Sequence, residues 1–263
     1  MADFSKRLGY GGSATIAGTQ VLITSGNFDN TVTPSYIEAV SIQPFNAQRG
    51  RMLHADGVES FTGSLGFDVT EAALGVINTG ALLSRGYPFE VGIHDGVDSY
   101  SMLGSLVTSL SLTGSAGGLI TSTVSFMSKE MWRAAGVSNA RQFEDDEVNK
   151  QFMPLAYWQS GNVGVKDWSF TMNQDVTPMY GNQNSTMPIY LKVGLVSYSL
   201  SVTTYEQVRE HNQINIYSSS FTLTGTTTSR GYSYGGQVAL GSYVHNFETS
   251  ASASYGADGV VIS

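Results

Sequence analysis

Apolar and polar residues alternate along most of this chain. In Val107–Thr113 one face takes Val107, Ser109, Ser111 and Thr113 and the other takes Thr108, Leu110 and Leu112. That period of two predicts a half-buried strand. Gly114–Gly118 is a flexible turn and Leu119–Phe126 returns, so the segment predicts a long hairpin. The same alternation predicts strands within Val58–Val69, Tyr87–Ile93, Val163–Val176, Leu191–Thr203 and Ile214–Thr224. Asp56-Gly57, Asp95-Gly96 and Gly235-Gly236 are predicted turns. One stretch changes period. Thr70 can N-cap a helix whose body is Ala72, Ala73, Leu74, Val76 and Ile77, and Asn78 and Gly80 can end it. A second helix is expected somewhere within Lys129–Lys150, interrupted by Gly136.

Composition narrows the function classes. Charged residues make up 13% of the 263 positions, about half the usual share of a soluble domain. Cysteine is absent, which removes disulfides, thiolate metal sites and cysteine nucleophiles together. The net charge of −8 opposes a role that neutralises nucleic-acid phosphates. No apolar segment follows Lys6 and Arg7, and no window holds 18 apolar residues, so neither a secretory signal nor a membrane-spanning helix is expected. An outer-membrane barrel is compatible with the alternation, but the chain's last residues, Val260-Val261-Ile262-Ser263, lack the terminal aromatic of such barrels. No membrane insertion is expected.

Two pairs of segments look alike. Ser60–Thr70 matches Asp167–Thr177, both placing an aromatic (Phe61, Trp168) seven residues before an Asp-Val-Thr, at an offset of 107 (Asp68 to Asp175). Ser109–Gly114 matches Ser220–Gly225 at an offset of 111 (Ser109 to Ser220). Two matches in one order predict a duplicated β unit: a first domain over residues 1–133, an acidic linker over 134–148, and a second domain over 149–263. The linker holds Glu144-Asp145-Asp146-Glu147, a run read as solvated, with a divalent-cation site as the alternative.

His54, His94, His211 and His245 form no metal-binding spacing. No phosphate loop is expected, and Gly114–Gly118 does not fit a nucleophile elbow and lies between strands rather than before a helix. Asp95 and Asp98 flank a hairpin and read as solvated loop acids, not a glycosidase pair. Trp168 begins an alternating strand and is assigned to core or interface. No enzyme, cofactor or metal is expected.

Glu59–Leu74, a strand entering a helix, the hairpin Leu106–Phe126, and Val165–Asn184 together resemble the bacteriophage tail tube (major tail) proteins. The resemblance implies a mainly β fold, a β-sandwich with one flanking helix per unit, here duplicated. It implies a virion protein, made in the host bacterial cytoplasm, whose subunits form rings with sheets joined across neighbours. The rings stack by extended loops into a hollow tube through which genomic DNA passes without specific binding. Tape measure and tail-end proteins are the implied further partners. With two units per chain, a ring of three chains with pseudo-six-fold symmetry is favoured over six chains. The candidate stacking loop is Pro44–Asp56, with Phe45, Arg49, Arg51 and Met52, an interface-like composition. The candidate lumen or inter-subunit hairpins carry Ser109, Ser111, Thr113, Thr222 and Thr224. Gly241–Ser263 is poor in core signals and is assigned to docking on a neighbouring ring or to a free tail. A tail hub, tail terminator or capsid decoration protein, or a carbohydrate-binding β-sandwich, are the alternatives.

Overall fold

A computed structural model of the chain describes residues 13–38, 52–78, 82–83, 86–94, 98–135, 155–158, 161–181, 186–204, 219–226, 231–246 and 254–262. The protein is mainly β. Its strands are β1 (Ser13–Ile16), β2 (Thr19–Glu38), β3 (Met52–Asp68), β4 (Phe89–His94), β5 (Asp98–Ser115), β6 (Ile120–Ser128), β7 (Glu130–Ala135), β8 (Leu155–Trp158), β9 (Gly161–Met179), β10 (Tyr190–Thr204), β11 (Ser219–Thr226), β12 (Gly231–Asn246) and β13 (Ser254–Ile262). Among the described residues there is one helix, α1 (Glu71–Asn78). All the pairings are antiparallel.

The alternation produces these strands by burying one face. Along β6, Ile120, Ser122, Val124, Phe126 and Ser128 are buried while the residues between them are not. Leu110 and Leu112 of β5 point into the same core as Val124 and Phe126. Gly117, at φ 71°, turns the chain between β5 and β6, and the Gly118 amide donates to the Ser115 carbonyl at 2.9 Å. Thr70 caps α1 as its sequence predicts: its Oγ1 accepts from the Ala73 amide at 3.2 Å. Ala73, Leu74, Val76 and Ile77 face the core.

Followed strand to strand, the pairings form two closed circuits. The first runs β1-β2-β3-β6-β5-β4 and returns to β1. The second runs β8-β9-β10-β13-β12-β11 and returns to β8. Renumbering the second circuit's strands in chain order reproduces the first circuit's order. Registers correspond as well. Ile16↔Thr19 matches Trp158↔Gly161, each the end pair of its ladder with two residues between the partners. Phe61↔Ser128 matches Tyr198↔Val261. The irregularity that skips Thr24 on β2 recurs at Lys166 on β9. The one that skips Thr108 on β5 recurs at Gly241 on β12. Bulges re-aim a strand at fixed points, so their coincidence marks the two circuits as copies of one design.

The correspondence differs from the sequence matches. Ser60–Thr70 lies in β3 and reaches α1, and its sequence match Asp167–Thr177 lies in β9, whose structural counterpart is β2. Likewise Ser109–Gly114 of β5 corresponds to β12, not to the matched β11. The Asp-Val-Thr ending therefore does two jobs. Thr70 caps a helix, whereas Thr177 pairs with Lys192 inside a ladder.

Other expectations change. Glu130–Ala135, expected within a helical stretch, is β7, paired with β5. Residues 136–154, with the acidic run, lie outside the described residues. Asp56-Gly57 is a bulge within β3 rather than a turn, and Gly235-Gly236 is paired within β12. Gly241–Ser263, read as poor in core signals, supplies the end of β12 and all of β13. The expected helix of the second unit has its counterpart position between β10 and β11, at 205–218, outside the described residues.

Candidate assembly site

The two circuits meet along one ladder. Residues Ser109–Ser115 of β5 pair with Asp167–Asn173 of β9. This seam merges the circuits into an eight-stranded sheet, β2-β3-β6-β5-β9-β10-β13-β12. Three of the predicted residues lie at its centre: Ser109 opposite Asn173, Ser111 opposite Thr171, and Thr113 opposite Ser169.

Those residues belong to rows that cross the sheet. One row reads Asn27, Ser64, Ser125, Ser109, Asn173, Ser197. The next reads Ser25, Gly66, Thr123, Ser111, Thr171, Ser199. Over these six strands neither row holds a charge or an apolar side chain, and on β13 and β12 the second row continues with Val260 and Ala239. Thr113 and Thr121 link their hydroxyls across β5 and β6 at 2.7 Å. The opposite face is apolar, with Leu65, Val124, Leu110 and Met172 in one buried row. This gives a broad hydroxyl surface backed by a hydrophobic core.

The seam is pinned from both sides. Gln174 on β9 is buried; its Nε2 donates to the Val107 carbonyl of β5 at 2.9 Å, and its Oε1 accepts from the Gly86 amide at 3.4 Å. On the far side of β3, the Glu59 amide donates to the Thr186 carbonyl at 2.8 Å, and the Glu59 carbonyl accepts from the Tyr180 hydroxyl at 2.7 Å. The Thr186 hydroxyl donates to the Glu59 carboxylate at 2.6 Å. Partial burial raises the pKa of Tyr180, keeping it a donor. None of these contacts was legible in the sequence, because each joins residues from different circuits. A buried Trp168 within the seam, opposite Gly114, does follow from its position in an alternating strand.

The remaining predicted residues scatter. Thr222 and Thr224 lie on β11, opposite Gly235 and Ser233 of β12 and Tyr157 and Leu155 of β8, away from the seam. Met52 is the first residue of β3, opposite Glu38, so the candidate loop Pro44–Asp56 is in strand from Met52 onward. Phe45, Arg49 and Arg51 lie outside the described residues. β2 and β3 nonetheless form the longest hairpin arm of the first unit, of 20 and 17 residues.

Metal-binding geometry does not assemble among the described residues. No group of three or more His, Asp or Glu side chains is placed to hold a metal. His94 is buried, with Nδ1 facing the Asp98 carbonyl at 3.1 Å and the Ser99 hydroxyl at 3.3 Å. Asp98, expected to be a solvated loop acid, is instead buried on β5 and ion-paired with Arg133 of β7. No described helix is long and apolar enough to cross a membrane. No protein-family model matches this chain, and none of the curated proteins matches it.

Proposed function

We propose that this chain is a virion structural protein, the subunit of a phage tail tube that self-assembles into stacked rings and conducts DNA. The observation that supports the reading most is the repeat of one six-stranded circuit, merged edge to edge into a two-faced sheet. Such a unit is built for lateral extension. Its hydroxyl rows suit a DNA conduit: they offer no cations to bind phosphates, and the net charge of −8 repels them. Two units per chain support rings of three chains, with six units around the axis. The β2–β3 arm remains the candidate ring-stacking element, and virion location with tape measure and tail-end partners follows from the same reading.

Negative-stain electron microscopy of the purified protein without detergent, with light scattering for mass, tests it. Hollow tubes or stacked rings, with a ring mass of three chains, are expected. Small closed oligomers that never stack would transfer the assignment to a decoration or terminator protein.

A further inference from the structure

The eight-stranded sheet ends in two edges, and the internal seam specifies how they fit together. At the seam, β9 offers the edge that continues past β8, and β5 offers the edge that continues past β4. Their counterparts are β2 and β12. β2 pairs with β1 over Thr19–Val21 and with β3 from Leu22 onward. β12 pairs with β11 over Gly231–Val238 and with β13 over Gln237–Asn246. Among the described residues, no strand pairs with β2 on its β1 side beyond Val21, or with β12 on its β11 side beyond Val238. These are the stretches that the seam occupies in the other copy. Long open edges pair with other chains unless something covers them.

We infer that β12 of one chain pairs antiparallel with β2 of a second copy, in the register of the internal seam. The inference rests on the repeat and deepens the tube reading by naming the contact between copies. The register follows from two offsets: 142 from β2 to β9 (Thr19 to Gly161) and 133 from β5 to β12 (Asp98 to Gly231). Both bulges fix these offsets, since Thr24 corresponds to Lys166 and Thr108 to Gly241. Transferring Ser109↔Asn173 and Leu110↔Met172 places Ser242 opposite Thr31 and Tyr243 opposite Asn30 of the neighbour. The contact is heterologous, so repeating it closes a ring or grows a filament. A second observation agrees. Glu59, which receives Thr186 and Tyr180 across the seam, corresponds to Val196 on β10, and the adjacent Leu195 is 79% exposed. A neighbouring copy covers an apolar side chain at that place.

The cysteine-free chain makes the test direct. Opposed residues in an antiparallel ladder lie within disulfide reach. The full-length double variant Ser109→Cys with Asn173→Cys calibrates the position by closing within one chain. Thr31→Cys with Ser242→Cys is then oxidised in concentrated protein. A covalent ladder on a non-reducing gel is expected, absent from either single variant and ending at the ring size. Thr31→Cys with Asn246→Cys, four residues out of register, is expected to give at most a tenth of that yield. Closure of the internal pair without the ladder, preferential linking of the offset pair, or a chain that stays monomeric at high concentration would each overturn the inference. Tubes without the ladder sink this contact and keep the tube reading. A ladder without tubes does the reverse.

Discussion

Ser122 shows how sensitive the core is to single atoms. It sits on the buried face of β6 between Phe67 and Leu112, and its hydroxyl has no hydrogen-bond partner among the described residues. An unpaired buried hydroxyl is costly. Ser122→Ala is therefore expected to raise stability by about 1 kcal/mol, read as a higher urea midpoint at unchanged slope. Gly63 behaves in the opposite way. A Cβ there would stand 2.5 Å from the Phe126 ring and 2.8 Å from Phe28, which already meet edge to face with centroids 5.8 Å apart. Gly63→Ala should cost about 1–3 kcal/mol through overpacking, measured in the same titration. Tyr180 gives a pH signature. Its raised folded pKa means the unfolded chain ionises first, so stability falls as pH rises through the ordinary tyrosine value of 10.0. Tyr180→Phe should flatten that part of the pH profile in thermal unfolding.

At the level of elements, Thr70→Ala removes the cap of α1 and should cost about 1 kcal/mol, seen as a lower Tm. Strands and helix were largely legible, because burying one face of a ladder demands alternation and starting a helix demands a cap. The repeat was legible only in part. Ser/Thr-rich strands resemble one another whichever face they serve, so β3 aligned with β9 and β5 with β11. The true counterparts share little beyond positions such as Val21 with Val163 and Phe28 with Phe170. Pairing register persists without such identity because backbone hydrogen bonds do not depend on it. Altered connections hid it further: 13 residues separate β2 from β3, and 10 separate β9 from β10. The seam rests on Gln174 and Glu59, whose partners are 67 and 127 residues away, beyond the reach of any local pattern.

For the whole molecule, the polar surface and the open edges make separate statements about assembly. Leu195→Asp changes a residue exposed in the single chain, so unfolding should move by no more than about 0.5 kcal/mol. Sedimentation should nevertheless show weaker association. The covalent link between the circuits has a kinetic consequence. In a ring of three chains, every second junction is made when a chain folds, at the high effective concentration of a tether. Only the others wait for diffusion, and each of those meetings settles two units at once. Fewer loose parts must be immobilised, so the translational entropy lost per ring is about halved relative to six separate units. Joining the units also releases them from identity. If three such chains close a ring, alternate positions around its axis can carry a longer or shorter arm, giving three-fold features on a nearly six-fold wall.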